Sequence, residues 1–163
     1  MKLFLLRHAA ADFGGPDPDR PLSESGRSYA RQLAEYIASN SYFSFSEIWC
    51  SPYKRARQTA EPLLSSHKRI QLKDFLVPEA NPASLISQLS SREDALLVVG
   101  HNPHLSLVAK QLLGLHRNQV PPSFKKGALF VFKKHPDSPS GFSLSACLPP
   151  VILGLTKRSY KER

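Results

Sequence analysis

Apolar residues follow two rhythms along this chain. Short unbroken runs, LFLL at 3–6 and ALLVVG at 95–100, have the length of central strands covered on both faces. Between them the spacing turns helical. Tyr29, Leu33, Tyr36 and Ile37 recur at i, i+4, i+7 and i+8 behind Ser23, a suitable N-cap. FSEIWCS reads as a second strand ending near Ser51. In SPYKRARQTAEPLL the spacing predicts a helix with Ser51 as N-cap, Pro52 at the first position and Ala56, Ala60, Leu63 and Leu64 as its buried stripe. Pro62 is expected to break or bend that helix. RIQLKDFLVPEANP reads as a weaker strand and a loop, and PASLISQLSS as a short helix. Asn102 and Pro103 read as the cap and first position of a helix carrying Leu105, Val108, Ala109 and Leu112. GALFVFKK and GFSLSACL supply two final strands.

Strands alternating with helices predict an α/β fold, a three-layer α/β/α sandwich around a mostly parallel central sheet. Without a repeat or a low-complexity linker, residues 1–155 are expected to form a single domain. The segment TKRSYKER at 156–163 reads as a basic, solvated tail. FGGPDPDRPLSESG, from Phe13 to Gly26, is a turn-rich loop.

Composition narrows the partners. The 163 residues are 41% hydrophobic, ordinary for a globular protein, and no apolar run approaches the roughly 18 residues of a membrane span. Arg7 ends the first apolar run after Leu6, too early for a secretory leader. Cys50 and Cys147 form no CxxC pattern, which makes a reducing cytoplasm the expected compartment. The formal net charge of +9 favours anionic partners, either phosphorylated substrates or nucleic acid. Phe130 and Phe132 alternate onto one strand face beside lysines, but an apolar face of that kind suits core better than base stacking.

Where the strands stop, the polar residues are unusual. The first ends in Arg7 and His8, the second in Ser51, the fourth in Gly100 and His101. Open α/β sheets bind ligands at that edge. Two histidines there, with Arg55 on the first turn after Ser51, make an anion site to which the start of that helix adds unpaired N–H groups. The competing reading is a metal site, with His101 and His104 at i, i+3 and oxygen from Asp12 or Asp19. Neither HExxH nor a cysteine cluster supports it. Arg7 and Arg55 would also repel a cation, whereas each attracts a phosphate by about 4 kcal/mol at ~4 Å and an effective dielectric near 20. His104 is left as a packing or surface residue, and Arg20 has Asp17 and Asp19 as local partners.

LLRHAAAD, DRPLSESGRSYARQLAEYI, SPYKRARQTAEPL and VVGHNPHLS, in that order, resemble the histidine phosphatase superfamily, the phosphoglycerate-mutase-like fold. The length, RPLSESG and GHNPHLS resemble its small SixA-like phosphohistidine phosphatases. The resemblance implies that His8 is the nucleophile of a covalent phosphohistidine intermediate. Arg7, Arg55 and His101 then complete the phosphate pocket, Arg20 is a further phosphate ligand, and Ser51 and Asn102 support it. It implies no metal and no organic cofactor. Expected partners are a protein phosphohistidine or a small phosphorylated substrate, with inorganic phosphate as product; neither a membrane nor nucleic acid is expected.

Two departures from the superfamily pattern stand out. Ala9 follows His8 where most members carry glycine, so this turn must use ordinary backbone angles. Members acting on phosphate esters also carry an acid to protonate the leaving alkoxide. Glu79 in VPEANP and Asp12 are the candidates here, while a phosphohistidine substrate needs less help because imidazole leaves more easily.

Overall fold

The computed structural model describes residues 1–64, 69–135, 137 and 141–153; the basic tail at 156–163 lies outside them. Lys2–Arg7 forms β1, Glu47–Cys50 β2, Arg69–Leu72 β3, Leu96–Gly100 β4, Leu129–Lys134 β5 and Phe142–Leu148 β6. They make one six-stranded sheet in the order β3-β2-β4-β1-β5-β6. The first four in that order run parallel, and β5 and β6 add an antiparallel hairpin at one edge. The helices are α1 (Glu24–Ala38), α2 (Lys54–Ala60), α3 (Pro82–Leu89) and α4 (His104–Leu112).

Successive side chains of a strand point to opposite faces, and β1 shows the consequence. Phe4 and Leu6 enter a core shared with Tyr29, Leu33 and Ile37 of α1 and Ala56 and Ala60 of α2. Leu3 and Leu5 enter a second core with Leu85 and Leu89 of α3 and Leu105, Val108 and Leu112 of α4. Helices therefore cover both faces, and the three-layer arrangement expected from the sequence is the one observed. Each fully buried Leu or Phe in these layers contributes about 1.5–3 kcal/mol. Phe130 and Phe132 lie in the second core, which accounts for their alternation without nucleic acid.

Local expectations hold in part. The Ser23 hydroxyl accepts the Gly26 N–H at 3.1 Å and caps α1. Gly26 is required there, because a Cβ would fall 2.0 Å from the Ala10 carbonyl oxygen. The helix of SPYKRARQTAEPLL begins at Lys54, two residues after Pro52, with Tyr53 at the cap, while the Ser51 hydroxyl meets both the Tyr53 N–H and His101 ahead of it. At Pro62 the α-helix gives way to a 3₁₀ turn, Glu61–Leu63, which rotates Leu64 off the buried stripe into solvent. Helix α4 likewise starts at His104, since the Asn102 side chain is engaged with Phe124 and Ser106.

Candidate active site

Backbone register brings the polar strand ends together. Arg7 of β1 lies beside Gly100 of β4, and Cys50 of β2 beside Val99. One residue further on, the His8 N–H bonds the Gly100 carbonyl at 3.0 Å and the Ser51 N–H bonds the Val99 carbonyl at 3.0 Å. His8, Ser51 and His101 thus leave the sheet at one edge, and the two imidazole centroids lie 4.9 Å apart.

His8 is buried, and its Nδ1 lies 2.7 Å from the Ala9 carbonyl oxygen. A carbonyl only accepts, so Nδ1 carries the proton and Nε2 presents its lone pair. Arg55 Nε donates to that Nε2 at 3.3 Å. Burial is the main influence pushing the His8 pKa down to about 3. The Ala9 hydrogen bond opposes it, and the charges of Arg55, Arg7 and Lys126 add to it. The imidazole is therefore neutral and nucleophilic at neutral pH.

Arg55 is buried and held from several sides. Its Nη1 donates to the Asp17 carbonyl at 2.5 Å and its Nη2 to the Asp17 carboxylate at 2.9 Å. The other oxygen of that carboxylate accepts from Arg20 at 2.9 Å, and Arg20 Nε bonds the Asp12 carbonyl at 2.9 Å. One carboxylate thus joins two guanidinium groups. Burial raises the Asp17 pKa, but hydrogen bonds and charge from Arg55 and Arg20 outweigh it and hold the group below the usual carboxylate range.

His101 is also neutral, lowered by burial first and then by His8, Arg55 and Arg7. Its Nε2 meets the Ser51 hydroxyl at 2.9 Å, and that hydroxyl accepts the Tyr53 N–H at 3.3 Å. Arg7 Nη1 donates to the Phe124 carbonyl at 2.7 Å, the oxygen that Asn102 Nδ2 reaches at 3.1 Å. Among the described residues, no group of three or more His, Cys, Asp or Glu is placed to hold a metal ion. A neutral imidazole among three arginines suits an incoming phosphoryl group.

Residues 3–76 match the family model of the histidine phosphatase superfamily (branch 1). The fold agrees with solved members of that group. The protein histidine phosphatase SixA complexed with tungstate is 23% identical, with 94% of this chain and 99% of that one covered at a TM-score of 0.77. The candidate phosphohistidine phosphatase SixA from Agrobacterium tumefaciens is 27% identical, covering 91% and 97% at 0.75. The alpha-ribazole phosphatase from Shigella flexneri is 16% identical, covering 92% and 97% at 0.73. No curated protein matches the chain by sequence. The likeness is to the histidine phosphatase superfamily, by sequence over residues 3–76 and by fold over most of the chain.

In this chain His8, Arg7, Arg55, His101 and Ser51 gather at one place. Arg20 joins them through Asp17. Asn102 stands beside them, with its amide nitrogen on Phe124 and its oxygen on Ser106. The candidate acids lie at the rim. Glu79 is exposed and meets the Tyr53 hydroxyl at 3.4 Å, while the Tyr53 ring lies edge-on to His101 with centroids 5.1 Å apart. Asp12 meets Arg20 through its carbonyl. Ala9 needs no left-handed backbone, since no non-glycine among the described residues has positive φ.

The sequence reading missed Thr59 and Asp17 as parts of the site. Thr59 Oγ1 donates to the Arg55 carbonyl at 2.7 Å and accepts the Ala9 N–H at 3.1 Å, locking α2 to the turn after His8. Its place four residues after Arg55, on the same helix face, was the available signal. Asp17 carried none beyond its closeness to Arg20.

Proposed function

We propose that this enzyme hydrolyses a phosphoryl group through a phosphohistidine at His8, with protein phosphohistidine as its substrate. The observation that carries the reading is the Ala9 carbonyl on His8 Nδ1, which leaves Nε2 unprotonated beside Arg55. The His8 Nε2 lone pair attacks phosphorus in line while the substrate's P–N bond breaks and the leaving imidazole takes a proton. Arg7, Arg55 and Arg20 neutralise the non-bridging oxygens. His101, with Nε2 on Ser51, has Nδ1 as its remaining donor for a phosphate oxygen. Water then attacks the phosphoenzyme, releasing orthophosphate and restoring His8. Likeness in fold to SixA supports the substrate class, and no metal or cofactor takes part in this scheme.

A phosphomonoester is the second reading, favoured by Glu79 at the rim next to Tyr53. The deciding test compares turnover of a phosphohistidine protein, a phosphohistidine peptide and common sugar phosphates. With P–N substrates Glu79→Gln should change turnover by less than about threefold. With esters it should cost about a hundredfold to ten-thousandfold, the usual share of general acid catalysis. A loss of several hundredfold on phosphohistidine makes Glu79 an essential acid and favours the ester reading.

A further inference from the structure

The segment between α4 and β5 is tied to the nucleophile at several points. The Gly127 N–H bonds the carbonyls of both Arg7 and His8, at 3.1 and 3.0 Å, and the Arg7 N–H bonds the Ala128 carbonyl at 3.1 Å. The Tyr29 hydroxyl donates to the Gly127 carbonyl at 2.6 Å. Gly127 has φ +79°, and a Cβ there would fall 2.5 Å from the Tyr29 ring, so both backbone and space demand glycine. Next to it, Phe124 stacks on Phe130 at 3.8 Å and lends its carbonyl to Arg7 and Asn102. Lys126 is therefore fixed by its backbone beside His8, and its charge is among those His8 experiences.

Its ammonium group has a definite place. Lys126 Nζ lies 5.8 Å from the centroid of Phe13, and the Arg20 guanidinium lies 5.3 Å from the same ring. Both are within cation–π range. Phe13 is 80% exposed at the start of the loop that carries Asp17 and Arg20, so burial of its ring does not account for the arrangement. One aromatic side chain links two cations that come from separate parts of the chain and meet at its ring.

We propose that Lys126 is a phosphate-binding residue of this site, held against Phe13 beside Arg20 and closing on the phosphoryl oxygens when substrate enters. It adds a fourth cation to Arg7, Arg20 and Arg55, and its stem is long enough to leave the ring for an anion. The assignment rests on the phosphatase reading above, because it takes the anion to be a phosphoryl group at His8.

Calorimetric titration of tungstate and orthophosphate into the full chain and its variants tests the assignment. Lys126→Ala should weaken both anions by about tenfold to a hundredfold, the range for one charge-assisted hydrogen bond. Lys126→Arg should recover most of that. Lys125→Ala removes the same charge from the neighbouring exposed position and should change affinity by less than about threefold if contact, not bulk field, is responsible. The proposal is overturned if Lys126→Ala binds tungstate as tightly as wild type, or if Lys125→Ala loses as much. If the wild-type chain binds neither oxyanion, the phosphatase reading itself fails, and Lys126 with it.

Discussion

The end of β1 and the loop from Phe13 to Arg20 meet at Arg55, beside the proposed phosphate site, and they are built in opposite ways. At the strand end, His8 is fixed by the Gly100 carbonyl behind it, the Gly127 N–H on its own carbonyl and the Ala9 carbonyl on its ring. Two packed cores lie beneath it. The loop has no such support. Gly14 and Gly15 take φ of +95° and +74° with open space around them, and residues 13–19 are exposed. Its hold on the rest of the site is largely charge pairing, through Asp17 to Arg55 and Arg20. The Arg20 pair is partly exposed and contributes about 0–1 kcal/mol, whereas in the other pair Arg55 is buried and Asp17 half-exposed. On the proposed mechanism, bond-making chemistry sits on the rigid edge, while the loop that carries Arg20 is exposed and anchored mainly at Asp17.

Substitution at the proposed nucleophile gives the sharpest contrast. His8→Ala should fold with an unchanged circular dichroism spectrum and lose activity by more than about a thousandfold, since it removes the Nε2 lone pair that takes the phosphoryl in the proposed mechanism. Rapid quench with labelled substrate should trap an acid-labile, alkali-stable adduct on the wild type only. Activity surviving in the variant would place the nucleophile elsewhere.

Arg55 tests the junction between the two regions, because it touches His8 with one nitrogen and Asp17 with two. Arg55→Ala should cut kcat/KM by about a hundredfold or more, the scale of a lost electrostatic donor. Arg55→Lys should recover less than about a tenth of that loss, because an ammonium cannot bond His8, the Asp17 carbonyl and the Asp17 carboxylate together. Full recovery would reduce Arg55 to a point charge.

The loop should respond in the other direction. The Asp17 carboxylate and carbonyl occupy both Nη groups of Arg55, so an incoming phosphate must share or displace them. Asp17→Asn keeps the shape and removes the competing charge. Tungstate affinity should rise by about threefold to tenfold, the effect of one partly exposed like charge. A fall would mean that Asp17 positions Arg55 instead of competing for it, and the loop would then share the preorganised character of the strand end.

This division also governs what could be read in the sequence. LFLLRH and ALLVVGH were legible because an all-apolar strand that stops at a polar residue encodes both an element and an edge. Register then brought His8 and His101 together without further information. The loop had no such code. Nothing in GGPDPDRPL says that Asp17 spans Arg55 and Arg20, because that contact depends on a residue 38 positions away and on a path set by turns. Helix starts were misplaced for a related reason. Asn102 has the chemistry of a cap, yet Phe124 and Ser106 claim its side chain, and Ser51 divides its hydroxyl between the Tyr53 N–H and His101 ahead of the helix start.

The smallest expected effect concerns His104, which carries the rigid region's character without its chemistry. It is fully buried at the start of α4, and neither ring nitrogen has a hydrogen-bond partner among the described residues. Burial pushes its pKa down to about 4 from 6.5. The folded protein therefore keeps the ring neutral, while the unfolded chain takes up a proton once pH falls below about 6.5. Stability contributed by the neutral ring is complete above that value and is lost as pH drops toward 4. His8 adds a loss of the same sign that continues to about 3. His104→Leu, close in volume and without polar atoms, should raise the melting temperature by about 2–8 °C at pH 7, the return from removing one unsatisfied buried group. It should also narrow, without abolishing, the fall in melting temperature between pH 7 and pH 5. With Ser51 still on His101, turnover should stay within about twofold of wild type, because the substitution removes no hydrogen bond of the site. If the leucine variant melts lower at pH 7, or loses as much on acidification as wild type, His104 has a polar partner that holds α4 in place.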